Sequence, residues 1–213
     1  MTAPTDGWII GVDFDNTIVS YDDLILRVAV RRNLIPQGAQ PSKKDIRDRI
    51  RRLPDGENEW QRVQAAIYGP AMKEAKLIDG VLEFFQRCRQ LQIRAVIVSH
   101  KTEFANFDRT GTNLRQAALS WMKAHEFFES SGFGLSESEV FFESTRAEKI
   151  ERIRQLGCTH FIDDLEEVFS EDSFPSRVVR ILYAPQFQTT SCPGVKVATS
   201  WSEASRHCFD EPV

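Results

Sequence analysis

The sequence predicts an α/β fold: a three-layer, Rossmann-like core with a mostly parallel sheet and a small helical insertion after the first strand. Three observations predict it. Short apolar, β-branched runs alternate with segments of helical spacing, the pattern of strands joined by helices. Several of those runs end on an acidic or hydroxyl residue. A helical block separates the first run from the next strand-helix unit, and 213 residues suit one domain carrying a modest insertion.

Ile9, Ile10 and Val12 read as a buried first strand that runs into Asp13 and Asp15. If the extension continued, those two carboxylates would point the same way and repel, unless a cation sat between them. The alternative for "DN" is a turn, since Asp and Asn bond their own backbone and tolerate turn angles. Residues 22–32 carry helical apolar spacing, and Pro36, Gly38 and Pro41 interrupt them. Ser42 is placed to cap a basic helix, "KKDIRDRIRR", and a third helix, "ENEWQRVQAAIY", follows the break at Pro54, Asp55 and Gly56. Trp60 and Tyr68, at helical spacing, read as core.

The α/β alternation resumes with Asp79 and Gly80. The helix "VLEFFQRCRQL" leads to the strand "IRAVIVS", which ends on Ser99. Residues 112–129 read as a long helix and "EVFFES" as a short strand. "TRAEKIERIRQLG" reads as a helix capped by Thr145 and stopped by Gly157. "CTHFIDD" is a strand ending on Asp163 and Asp164, which could also cap a following helix, "LEEVFS". "RVVRILY" is a further strand, 184–196 a loop, and "WSEASRHCF" a C-terminal helix. The expected division is a core of residues 1–19 and 77–213, with a helical cap insertion over 20–76.

Composition narrows the function classes. Charged residues make up 27% of the chain and hydrophobic ones 41%, enough for an ordinary core. A net charge of −4 gives no reason to expect broad nucleic-acid binding. The six Lys and Arg residues of 43–52 read as a solvated face, or as an attractor for an anionic substrate. Cys88, Cys158, Cys192 and Cys208 lack metal-site spacing and read as reduced thiols. No apolar run approaches a membrane span, and "MTAPTDGW" does not resemble a signal peptide, so a cytoplasmic protein without membrane partners is expected.

Open α/β sheets bind ligands beyond the carboxyl ends of their strands. That rule would bring Asp13, Asp15, Ser99, Asp163 and Asp164 to one crevice, with Lys149 from the helix before the last of these strands. Several carboxylates in one crevice need a hard cation, and oxygen ligands suit Mg²⁺, which commonly shares its shell with phosphate. A lysine and a hydroxyl nearby suit phosphate oxygens. One aspartate can then attack phosphorus, while another protonates the leaving oxygen and activates water.

These residues also resemble a family. "DFDNT" at 13–17, "IVS" ending at Ser99, Lys149, and "FIDD" ending at Asp164 look like the four motifs, in order, of the haloacid dehalogenase-like (HAD) phosphohydrolases. The likeness spans roughly residues 8–183, and the helical block stands where that family carries a C1-type cap. The resemblance implies Asp13 as nucleophile and Mg²⁺ ligand, and Asp15 as general acid/base that ligates the metal through its backbone carbonyl. It implies Ser99 and Lys149 as binders of the transferring phosphoryl group, with Lys149 also orienting Asp13. Asp164 would be the direct metal ligand of the last motif, with Asp163 beside it. Thr17 would steady the loop after the nucleophile and line the substrate side. An acidic residue two after the nucleophile resembles the phosphatase branch.

The sequence departs from the family at His100, where many relatives carry Asn or Gly, and in "DDLEEV", which lacks a further aspartate four or five residues on. His100 and Arg109, the latter in the loop "FDRTGTN", are the candidate substrate contacts. The expected activity is Mg²⁺-dependent hydrolysis of a small phosphorylated metabolite, a sugar phosphate or nucleotide-linked compound, through an aspartyl phosphate. The rivals are a phosphotransferase or mutase using the same intermediate, a non-catalytic binding protein on this fold, and a nucleic-acid end-processing phosphatase.

Overall fold

The computed structural model describes residues 7–39, 41–108, 111–186 and 189–210. Its central element is a six-stranded sheet of β1 (Ile9–Val12), β4 (Arg94–His100), β5 (Val140–Glu143), β6 (His160–Asp163), β7 (Val179–Tyr183) and β8 (Val195–Ala198). Every neighbouring pair is parallel, and the spatial order is β5-β4-β1-β6-β7-β8. The chain builds outward from β1 on one side, then returns to build on the other. The gap between β1 and β6 is thus the point where strand order reverses, the place such sheets reserve for ligands.

By contact, the chain divides into two units: 1–18, 77–101 and 125–213 form the first, and 19–76 with 102–124 the second. The sheet belongs to the first unit. On one of its faces, Val96, Val98, Phe161 and Leu182 join Ile150 and Ile153 of α6 (Arg146–Leu156) and Val168 and Phe169 of α7 (Glu166–Phe169) in one buried cluster. The other face receives α4 (Val81–Gln90) and α8 (Trp201–Phe209). Trp201 there lies edge-on to Phe84, with centroids 4.9 Å apart, and sits 5.8 Å from Tyr183. The C-terminal helix, for which the sequence offered no partner, packs on α4 and β7.

The second unit holds α1 (Asp22–Arg31), α2 (Lys43–Arg51), α3 (Gly56–Tyr68) and α5 (Leu114–Ala124). α2 begins as expected: Ser42 and Asp45 form a reciprocal capping box. Only Ile46 and Ile50 of α2 are buried, while Arg47 pairs with Asp48 and Arg51 with Glu57. That is the solvated-face reading of the basic helix. Trp60 is buried, and Tyr68 meets Tyr21 edge-on at 4.9 Å. Gly56 opens α3 where a Cβ would fall 2.4 Å from the Ile50 carbonyl, so α2 and α3 meet through a position only glycine fits.

Several expectations are corrected. β8 lies at the end of the segment read as a loop. A two-stranded ribbon, β2 (Val19–Ser20) with β3 (Lys76–Leu77), was not expected. The helix expected over 112–129 is the shorter α5.

Candidate active site

All of the described strand-end residues belong to the first unit. β1 ends at Val12, and the Asp13 amide still donates to the Ile162 carbonyl of β6 at 2.8 Å. The chain then turns: Asn16 has φ +60°, and the Ile18 amide donates to Phe14 O. Extension does not continue through Asp15, so the turn and the acidic site are the same feature. Each aspartate has its own ammonium partner.

Asp13 is buried. Its Oδ1 accepts from Ser99 Oγ at 2.9 Å and from Lys149 Nζ at 2.6 Å, and its Oδ2 from Thr17 Oγ1 at 3.4 Å. Lys149, 2% exposed, also reaches Asp163 Oδ2 at 2.7 Å and lies 5.4 Å from the centroid of the Phe161 ring. Burial works against its ammonium, but Asp13 and Asp163 outweigh that and hold its pKa above the ordinary lysine value. Lys149 is aimed by α6, which Thr145 starts with a capping box to Glu148 and Gly157 ends in the left-handed conformation, both as the sequence predicts.

Asp163 is fully buried. Burial pushes its carboxyl up to about 6, against the pull of Lys149. Its Oδ1 accepts from the Leu165 amide at 3.0 Å, so it braces the turn into α7. No side chain caps α7 itself. Asp164, half-buried, completes a set: Asp13, Asp163 and Asp164 each bring a carboxylate oxygen within 4.8 Å of the others. The three donors are all carboxylate oxygens. An all-oxygen, acidic donor set fits a hard divalent cation such as Mg²⁺.

Two expected contacts are placed differently. Thr17 is fully buried, and Trp201 donates to its carbonyl at 3.0 Å; it supports Asp13 and does not line a substrate surface. His100 is exposed at the end of β4, its Nε2 2.9 Å from the Ser144 carbonyl oxygen. Arg109 lies outside the described residues.

The sequence reading missed Lys101. It is buried, and its Nζ pairs with Asp15 Oδ2 at 2.7 Å and Oδ1 at 3.0 Å. A signal existed: two residues after Ser99, a lysine shares its strand parity. Among the described residues, no buried side-chain nitrogen or oxygen lacks a hydrogen-bond partner.

No protein-family model matches the chain, and no curated protein sequence matches it. Solved structures do. A HAD hydrolase of family IA, variant 3, from Entamoeba histolytica superposes with a TM-score of 0.57 at 12% identity, over 92% of this chain and 94% of that one. A HAD family hydrolase from Deinococcus radiodurans, with bound phosphate and sodium, gives 0.54 at 13% identity, over 97% and 96%. CbbY from Rhodobacter sphaeroides, in complex with xylulose-(1,5)bisphosphate, gives 0.51 at 12% identity, over 92% and 95%. At these identities the likeness is one of architecture, and it spans nearly the whole of each chain. The parallel sheet, its strand order and its site-bearing strand ends thus make this chain a protein of the haloacid dehalogenase-like fold.

Proposed function

We propose that the chain is a hydrolase that cleaves a phosphate monoester of a small molecule, with Asp13 as nucleophile. One observation carries the reading. A buried carboxylate at the strand-order reversal has one oxygen held by Ser99 and Lys149 and stands within a cluster of acidic oxygens suited to a cation. A structural ion pair needs one lysine and one acid; it does not need three acids gathered from two adjoining strand ends.

The chemistry follows from these groups. Lys149 and Ser99 fix Asp13, so an oxygen of its carboxylate can attack phosphorus as the ester oxygen leaves with a proton from Asp15. Water then attacks phosphorus, Asp15 takes the water's proton, and the bond to Asp13 breaks. Phosphate departs and the carboxylate returns. Asp13, Asp163 and Asp164, with the backbone carbonyl of Asp15, would hold Mg²⁺. When bound, that ion supplies neutralisation of phosphate charge. A sugar phosphate is the first substrate class to try, because one structural neighbour holds a ketose bisphosphate and another phosphate.

The test is phosphate release from an aryl phosphate and a panel of phosphorylated metabolites, with Mg²⁺ or with chelator. Wild-type release should require Mg²⁺, and Asp13→Asn should lower it at least about 10³-fold while leaving the fold intact. Undiminished turnover by Asp13→Asn would remove the nucleophile from the reading. Transfer to an added alcohol at the expense of free phosphate would make the protein a phosphotransferase.

A further inference from the structure

We propose that Lys101 is the positioning residue for Asp15 and serves the second half of the reaction, in which water releases phosphate from Asp13. This rests on the phosphohydrolase reading above. Lys101 follows β4 directly, and its amide is fixed to the Glu143 carbonyl at 2.8 Å. Its side chain turns inward, with Nζ 5.7 Å from the centroid of the Phe14 ring and within 3.0 Å of both Asp15 oxygens. The two side chains differ in access: that of Lys101 is 2% exposed and that of Asp15 19%. Lys101 is therefore sealed from ligand, while Asp15 is not, and the lysine acts through the carboxylate.

An ammonium out of water is costly unless it is paired, so the buried lysine commits Asp15 to this position. A carboxylate whose two oxygens share one ammonium is fixed in place and in orientation. That is what the second half requires. The water oxygen bonds to phosphorus, the phosphorus–oxygen bond to Asp13 breaks, the water's proton passes to the Asp15 carboxylate, and phosphate leaves. Lys101 fixes where the acceptor stands during that step. Lys149 performs the matching task for the nucleophile; with a leaving group that needs no proton, the effect of Lys101 is confined to the second half.

The experiment is rapid-quench kinetics on the full chain with Mg²⁺ and p-nitrophenyl phosphate, whose leaving group departs without a proton. In Lys101→Met, the first turnover of p-nitrophenol should stay within about twofold of wild type. Steady-state turnover should fall about 10- to 100-fold, less than the loss of the positioned base itself, which is worth about 10²–10⁴-fold. The phosphoryl group should accumulate on the protein. Lys101→Gln, which fills the space, should show the same split, and Lys101→Arg should recover the steady state. On an Asp15→Asn background, Lys101→Met should add nothing. The proposal is overturned if first turnover and steady state fall together, as a structural role would make them, or if neither changes. If wild type gives neither phosphate nor a bound phosphoryl group, the phosphohydrolase reading itself fails, which is a distinguishable result.

Discussion

Without the Lys149 ammonium, Asp13 and Asp163 would face each other out of water with no proton donor between them. Breaking such a buried arrangement costs about 3–5 kcal/mol, far more than an exposed ion pair contributes. Burial has a second consequence at His160, which is 1% exposed, hydrogen-bonded through Nδ1 to the Thr159 hydroxyl at 2.9 Å and packed on Trp8. Burial, with a smaller push from Lys196, lowers its pKa to about 4. In the unfolded chain a histidine titrates near 6.5, so below that pH the unfolded state takes up a proton the folded state refuses. Stability from this group is full above about pH 6.5 and is lost as pH falls through about 4. Urea unfolding should therefore show wild type losing about 2 kcal/mol more than His160→Gln between pH 7 and pH 5. Equal losses would show that His160 is charged in the folded state.

The residues that were legible in the sequence share a cause. Asp13, Ser99, Asp163 and Asp164 terminate or follow apolar runs, where a polar residue stands out against its neighbours. Lys149 was legible only from its order among the motifs. Lys101 is harder to read: its parity with Ser99 points it inward, but a lysine just past a strand ordinarily reads as solvated, and its partner Asp15 lies 86 residues away in sequence. Thr17 reads as a turn residue near substrate; it is fully buried, and the Trp201 indole that donates to its carbonyl is remote in sequence.

At the scale of elements, the site depends on how closely β1 and β6 approach. Gly11 sits in β1 where an added Cβ would fall 2.5 Å from Cδ2 of Phe161 in β6. The Phe161 ring cannot move freely, being fully buried with Phe174 at 6.4 Å and the Lys149 ammonium at 5.4 Å. Gly11→Ala should therefore destabilise the protein by about 1–3 kcal/mol, the cost of overpacking, measured by denaturant unfolding. A change below about 0.5 kcal/mol would show that the strands have room to spare. Elements with strong local signals were legible: α2 and α6 have capping boxes, and β4 is a long β-branched run. The β2–β3 ribbon was not, because two-residue strands carry no periodicity. β8 was not, because its exposed edge position relaxes the apolar pattern, leaving three of its four residues only half-buried.

At the scale of the whole molecule, parallel strands joined by helices allow few topologies, and the α/β alternation was enough to read the sheet. By contact, 102–124 groups with 19–76 in the second unit. The proposed chemistry turns on one bond, between phosphorus and Asp13. The most direct measurement is acid quench of wild type during turnover of an aryl phosphate, borohydride reduction, and peptide mass spectrometry. An aspartyl phosphate at Asp13 predicts reduction of that position to homoserine, dependent on substrate and absent from Asp13→Asn. Phosphate release with Asp13 unmodified under every quench time would contradict the account.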